Sequence, residues 1–222
     1  MNKMIPPKKI VCIFAHPDDE AMGPGGTIVH FLKEGCKVYL ICVTSGNANG
    51  SSELGEIRKK ELQKSTKILG INNNNLYLLG FDDGTLNNNN YHLVVEKIEK
   101  ILFDIKPDTL LTYNMNGVSG HLDHIAVSMQ TSYLFERLKF VKQILYFTHL
   151  KSIKKLMGNK YFVYFPEGLD KNDMDLAVDV SSYLDTKIKA IKAHVSQTKN
   201  KEIMFLFFKR LLKEEYFKVI QK

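Results

Sequence analysis

The sequence predicts an α/β fold, a Rossmann-like and mainly parallel sheet flanked by helices, on three observations. Short runs rich in β-branched and aromatic residues recur at 10–15, 37–43, 76–79, 109–113 and 143–147. Amphipathic stretches of helical period fall between them, from about Gly25 to Lys33 and at 56–69, 91–105 and 124–138. No linker rich in Pro, Gly or Ser interrupts the 222 residues, so one compact domain over 1–222 with a sizeable core is expected. Such alternation marks βαβ units, whose helical crossovers make neighbouring strands parallel.

Taken in order, Ile10-Val11-Cys12-Ile13-Phe14-Ala15 reads as a strand buried on both faces, because no polar position breaks it. It ends in His16-Pro17-Asp18-Asp19-Glu20, titratable groups that belong in a cleft. Gly23-Pro24-Gly25-Gly26 then opens a helix. A phosphate-binding glycine loop would start directly at the strand end, where His16 to Glu20 stand instead, so these glycines serve close backbone approach, to a substrate or to a neighbouring strand. The second strand runs into Thr44-Ser45-Gly46-Asn47, and the helix at 56–69 carries Arg58-Lys59-Lys60, which suits either a cleft rim or a solvated face. Asp82-Asp83-Gly84 makes a turn after the third strand.

The fourth strand, Thr109 to Tyr113, leads to Gly117-Val118-Ser119-Gly120-His121-Leu122-Asp123-His124 and then to a helix. Val178-Asp179-Val180 adds a later strand, while 181–195 and 201–220 read as helices, so that the portion from about 181 to 222 is helical. In the last of these an apolar stripe including Phe205, Phe208, Leu212 and Phe217 suits packing on the sheet, or on a sister subunit of a homo-oligomer, better than a membrane surface.

In an open α/β sheet both polar clusters lie at the carboxyl edge of the strands, where ligands bind. Together they offer His16, His121 and His124 with Asp18, Asp19 and Asp123. Two imidazoles and a carboxylate with open positions make a catalytic Zn²⁺ set. Spacing alone leaves open which aspartate of the pair and which histidine of the second cluster face the metal. Paired aspartates at a helix start otherwise act as caps, and a lone histidine is usually structural.

Composition narrows the alternatives. Cys12, Cys36 and Cys42 lie in or beside inner strands without CxxC spacing and read as buried thiols in a reducing compartment. No signal-peptide core precedes the first strand and no apolar run reaches the roughly eighteen residues of a membrane span, which points to the cytoplasm. The formal charge of +7 is spread along the chain, and no zinc knuckle, helix-turn-helix pattern or basic-aromatic interleaving marks a nucleic-acid reader.

Ala15-His16-Pro17-Asp18-Asp19-Glu20 and Gly120-His121-Leu122-Asp123-His124 resemble the two signature motifs of the PIG-L/LmbE-like zinc-dependent N-deacetylases. Glu56 to Leu62 resembles the substrate-side arginine helix of that family, and Lys187 through His194-Val195-Ser196-Gln197 its carboxyl-terminal segment. The resemblance implies one Zn²⁺ per chain, or another divalent ion, on His16, Asp19 and His124. It implies Asp18 as general base and His121, kept cationic by Asp123, as oxyanion stabiliser. Arg58 and His194 would contact substrate, and Asp83, from its own place in the turn after the third strand, is a candidate for binding a substrate hydroxyl. A tyrosine usual in the family two residues before His121 is here Ser119, leaving Tyr113 and the carboxyl-terminal tyrosines as substitutes. The implied reaction is removal of acetyl from an N-acetylglucosamine conjugate. The rivals are a non-haem iron oxygenase, which uses a similar ligand triad, and a non-catalytic sugar- or nucleotide-binding module.

Overall fold

The computed structural model describes residues 4–157, 164–198 and 213–222. Among the described residues the strands are β1 (Lys9–Phe14), β2 (Lys37–Thr44), β3 (Leu76–Phe81), β4 (Thr109–Tyr113), β5 (Gln143–Thr148), β6 (Leu176–Asp179) and β7 (Glu214–Gln221). They form a single sheet in the order β3-β2-β1-β4-β5-β7-β6. All pairings from β3 across to β5 are parallel, and β7 runs antiparallel to both neighbours. The helices are α1 (Asp19–Met22), α2 (Gly25–Lys33), α3 (Ser52–Leu69), α4 (Tyr91–Ile105), α5 (Leu122–Arg137), α6 (Lys151–Met157), α7 (Leu184–Ala193) and α8 (Val195–Thr198). No described helix is long and apolar enough to cross a membrane.

The uninterrupted apolar run of β1 follows from its central place. With β2 on one side and β4 on the other, Ile10 to Phe14 are all buried. The chain leaves β1 toward β2, and the strands on the other side come later in the sequence, so a crevice opens between the carboxyl ends of β1 and β4. That switch point is where an α/β sheet binds ligands. Both polar clusters issue from it. The helix expected at 56–69 starts earlier, because Ser51 caps it: its Oγ accepts the Leu54 N–H at 3.3 Å.

The expected helix at 201–220, and with it the helical portion to 222, needs correction. Residues 214–221 form β7, and the part of the expected helix over 201–212 lies outside the described residues. A short apolar run such as Tyr216 to Ile220 fits either period, and the free edge of β5 decides it: Thr148 pairs with Tyr216 and Gln143 with Gln221.

Strand β7 also delivers a buried charge. Glu215 is hardly exposed, and its carboxylate accepts the N–H groups of Gly26 at 3.0 Å and Thr27 at 2.7 Å. These are orphan donors at the start of α2, so the glycines meet a neighbouring strand there. Lys187 of α7 completes the arrangement, with Nζ 2.5 Å from Glu215 and 2.6 Å from the Gly23 carbonyl. Replacing Lys187 by Met removes the partner of a buried anion, which costs about 3–5 kcal/mol. Urea unfolding of Lys187→Met should show a loss of that size; a change under about 1 kcal/mol would show that the pair does not hold β7, α7 and α2 together.

Candidate metal centre

His16 extends from β1 and His124 lies in the first turn of α5, after the loop that follows β4. Pro17 sets the turn after His16, and α1 begins at Asp19, which brings the Asp19 carboxylate back over the strand end. One of its oxygens accepts the His16 backbone N–H at 2.7 Å and takes the Tyr113 hydroxyl in a short bond. Three ligand groups therefore converge. His16 Nδ1 is 3.1 Å from His124 Nε2, His124 Nε2 is 3.3 Å from Asp19 Oδ1, and His16 Nδ1 is 3.6 Å from Asp19 Oδ2.

Those separations test the fit to a metal. Donors about 2.0–2.1 Å from a tetrahedral ion stand about 3.4 Å apart. The two imidazole nitrogens come close to that spacing, and the Asp19 carboxylate approaches them through different oxygens, Oδ1 toward His124 and Oδ2 toward His16. Outer contacts aim the rings as a metal site needs. The His124 Nδ1 is 3.0 Å from the Gly117 carbonyl and 3.2 Å from Ser119 Oγ, which leaves Nε2 for the ion. His16 Nε2 lies 3.1 Å from Asp123 and 2.9 Å from Asp83, which leaves Nδ1. Two further groupings have donors within 4.8 Å of one another: His16, His121 and His124, and His16, Asp83, His121 and Asp123. In the second, the carboxylates meet the Nε2 face of His16, where they serve as its hydrogen-bond acceptors.

Charge follows this geometry. Burial works against a charged His16, but bonds to Asp123, Asp19 and Asp83 outweigh it and hold its pKa well above the usual range. Burial raises Asp19 as well, and the adjoining His124 and His16 overcome it and hold the carboxyl well below its usual range. Asp18 goes the other way. Burial and the neighbouring Asp19 push it up to about 6, against the pull of Arg58.

Asp18 sits in an unusual backbone state, with φ of +121°. Such a conformation costs about 1–3 kcal/mol for a residue with a side chain and persists only where its surroundings enforce it. Arg58 does so from α3. It is buried, and donates to the Pro17 carbonyl at 2.5 Å, to Asp18 Oδ1 at 3.2 Å and to the Gly46 carbonyl at 3.0 Å. Gly46 is needed there, since a Cβ would lie 2.7 Å from the guanidinium. From the other side Glu20 accepts the Asp18 N–H at 3.1 Å.

The remaining expected site residues divide. Asp83 does reach the centre, between His16 and Arg58, the latter at 3.7 Å. His194 does not face a cleft. It is wholly buried behind the Asp18 turn, its Nε2 2.8 Å from Glu20 Oε1, which also accepts Ser65 Oγ at 2.5 Å. Its expected contact with substrate is corrected to a structural one. The expected pairing of Asp123 with His121 is corrected too. Asp123 turns its carboxylate to His16 and to the N–H groups of Gly84 at 2.7 Å and Leu86 at 3.1 Å. Its backbone N–H, in turn, donates to His121 Nδ1 at 3.1 Å, which caps α5 and places the ring proton of neutral His121 on Nε2. Burial and the nearby His16 and His124 lower the His121 pKa, so a cationic His121 is not what this environment favours. Tyr113, a candidate for the missing tyrosine, has its hydroxyl engaged by Asp19 and by the Ala15 N–H at 2.8 Å.

Sequence reasoning did not single out the buried Ser65, and it named Glu20 and Asn47 only as members of their motifs, without the partners found here. Asn47 donates to Asp82 at 2.7 Å and accepts the Asp83 N–H at 3.0 Å, fixing the turn that carries Asp83. Its place in the loop after β2 was the available signal. A cleft of about 370 Å³ adjoins the centre, lined by Pro17, Thr44, Ser45, Asn47, Glu56 and Lys59 among others. It shares Pro17 with the metal motif, while the histidine rings stand outside it.

Comparison with known proteins agrees with this geometry. Residues 11–133 match the model of the PIG-L family, described as GlcNAc-PI de-N-acetylase. A probable N-acetyl-alpha-D-glucosaminyl L-malate deacetylase 2 of Bacillus cereus is 32% identical over 201 residues, covering 86% of this chain and 84% of its own. Among solved structures, the N,N'-diacetylchitobiose deacetylase of Pyrococcus horikoshii superposes with a TM-score of 0.70 at 24% identity, covering 97% of this chain and 84% of that one. The 4-carboxy-2-hydroxymuconate hydratase GalB of Pseudomonas putida superposes almost as well, at 0.69 and 12% identity over 97% of each chain, so the fold by itself does not select deacetylation. The family match and the Bacillus relative, with the motifs standing where the two strand ends meet, make this chain a member of the PIG-L family of N-deacetylases.

Proposed function

We propose that the protein is a zinc-dependent hydrolase that removes the acetyl group from an N-acetylglucosamine conjugate, releasing acetate and a free amine. The observation that carries this reading is the convergence of His16 Nδ1, Asp19 and His124 Nε2 at 3.1–3.6 Å beside a non-ligating carboxylate, Asp18. A non-haem iron site uses a similar triad but has no use for that second carboxylate. Zinc held by these three residues would supply a Lewis acid that polarises a carbonyl oxygen and acidifies water.

The chain's own groups account for the proton movements. Asp18, with a pKa near 6, is ionised at neutral pH and basic enough to take a proton from the attacking water. Once protonated, it can pass that proton to the nitrogen as the C–N bond breaks, without which the amine would leave as an amide anion. His121, neutral with its proton on Nε2, donates a hydrogen bond to the oxygen of the tetrahedral intermediate. Asp83, beside His16 and His121, suits a hydroxyl group of a sugar ring, while Arg58 acts from behind, its guanidinium spent on the Pro17 and Gly46 carbonyls and on Asp18. The relatives named above differ in what is joined to the amino sugar: phosphatidylinositol, malate and a second sugar. For this chain a small soluble amino-sugar conjugate is the proposed substrate class and the cytoplasm the proposed compartment.

Release of free amine from N-acetylglucosaminyl malate, N-acetylglucosaminyl inositol and diacetylchitobiose by the zinc-loaded protein tests the reading. Turnover of at least one is expected; bound zinc without amine from any would contradict it. Metal analysis separates the histidines: His124→Ala should lose zinc and activity together, whereas His121→Ala should keep zinc and lose activity. Full zinc content in His124→Ala would remove it from the ligand set. Asp18→Asn should retain zinc and lower kcat by about 10²–10⁴, the range for a positioned acid-base group. A kcat within about threefold of the parent would assign the proton transfer elsewhere.

A further inference from the structure

We propose that His149, just beyond β5 and outside both motifs, is a positioning residue for the metal centre, acting through the loop Gly117–His121. The proposal rests on the reading of His124 as a metal ligand. This loop aims both histidines of the second motif. The Gly117 carbonyl and Ser119 Oγ orient His124 Nδ1, and the same Ser119 Oγ accepts the His121 N–H at 3.4 Å.

The loop is under strain between those two contacts. Val118 has φ of +64°, a left-handed value that a β-branched side chain resists. Holding it there costs free energy, which some outside contact must offset. His149 supplies one: its Nε2 lies 3.0 Å from the Val118 carbonyl.

His149 is in turn fixed on several sides. Its ring stacks on Phe165 with centroids 5.1 Å apart and planes 29° apart. Its own carbonyl accepts the Leu169 N–H at 3.0 Å, and with the ring proton on Nε2 the Nδ1, 3.1 Å from the Leu150 carbonyl, makes no hydrogen bond to it. Gly168 packs so closely that a Cβ there would overlap both the His149 carbonyl oxygen and its Nδ1. A rigid imidazole therefore pins a strained carbonyl, one residue from the carbonyl that aims His124. Nothing in this arrangement requires His149 to touch substrate.

The test measures zinc affinity by competition with a chromophoric chelator, which requires no turnover. His149→Phe keeps the stack on Phe165 and loses the donor; His149→Gln places an N–H near the position of Nε2. Loss of an outer partner of a metal ligand typically weakens affinity 10–100-fold, and one contact further out the lower end, about tenfold, is expected for His149→Phe. His149→Gln should stay within about threefold of the parent. Val118→Gly relieves the strain, so in that background His149→Phe should cost about threefold or less.

Equal zinc affinity in the parent and in folded His149→Phe would overturn the proposal. So would a tenfold loss that is equally large in the Val118→Gly background, because the ring and the strained carbonyl would then be uncoupled. If His149→Phe does not fold, His149→Asn, whose shorter amide cannot reach Val118, replaces it, and equal affinities for the Asn and Gln variants overturn the idea. His124→Ala separates the two readings: full zinc affinity in that variant defeats the ligand assignment itself, whereas its loss alongside an unaffected His149→Phe defeats only the positioning role.

Discussion

His16 lies between two sets of polar groups, and the site is built outward from its ring. On the Nε2 side Asp123 and Asp83 accept from it at 3.1 and 2.9 Å. On the Nδ1 side His124 and Asp19 approach within 3.1 and 3.6 Å. A neutral ring that donates through one nitrogen presents a lone pair at the other, so the carboxylates behind His16 would leave its front face to bind an ion. The same ring ties β1 to the loops after β3 and β4, since Asp83 comes from the first of these and Asp123 follows the second. Removing the acceptors would leave a buried imidazole free to turn, and the spacing that suits an ion would go with it.

Buried polar contacts from distant parts of the chain keep this arrangement strained and in place. Arg58 and Glu20 hold Asp18 at its positive φ from opposite sides, and Glu20 is itself held by Ser65 and His194. The carboxyl-terminal segment therefore reaches the catalytic turn without touching its open face. Asp18 gains from confinement: burial and Asp19 bring its proton affinity to where it can both accept and return a proton near neutral pH. Conformational strain at Asp18 and Val118 is concentrated at the two loops that carry the chemistry.

The sheet and the metal motifs were legible in the sequence because both write local signals. Uninterrupted apolar runs marked β1 and β4, and the polar residues at their ends marked two clusters, within which only the family resemblance singled out His16, Asp19 and His124. Long-range partners leave no such trace. Glu20 and His194 are separated by 174 positions, and neither belongs to a pattern that announces the other. Arg58 lies in a run of helix charges and looks solvated until the fold buries it against Pro17. The strand β7 was hidden for a different reason, since its apolar run suits two periods and only the edge of β5 selects one. Likewise, the spacing of His121 and Asp123 suggested a pair, but the start of α5 sends one side chain to its own helix cap and the other to His16.

The proposed chemistry depends on one ion, which we propose His16 Nδ1, Asp19 and His124 Nε2 hold, with Asp83 and Asp123 behind His16 as acceptors. An anomalous difference map recorded at the zinc edge from crystals of the zinc-loaded protein locates that ion without reference to activity. One peak is expected, about 2.0–2.2 Å from each of those three donors. A peak among His16 Nε2, Asp83, His121 and Asp123 would contradict the assignment, because the carboxylates that orient the ring would then be ligands themselves.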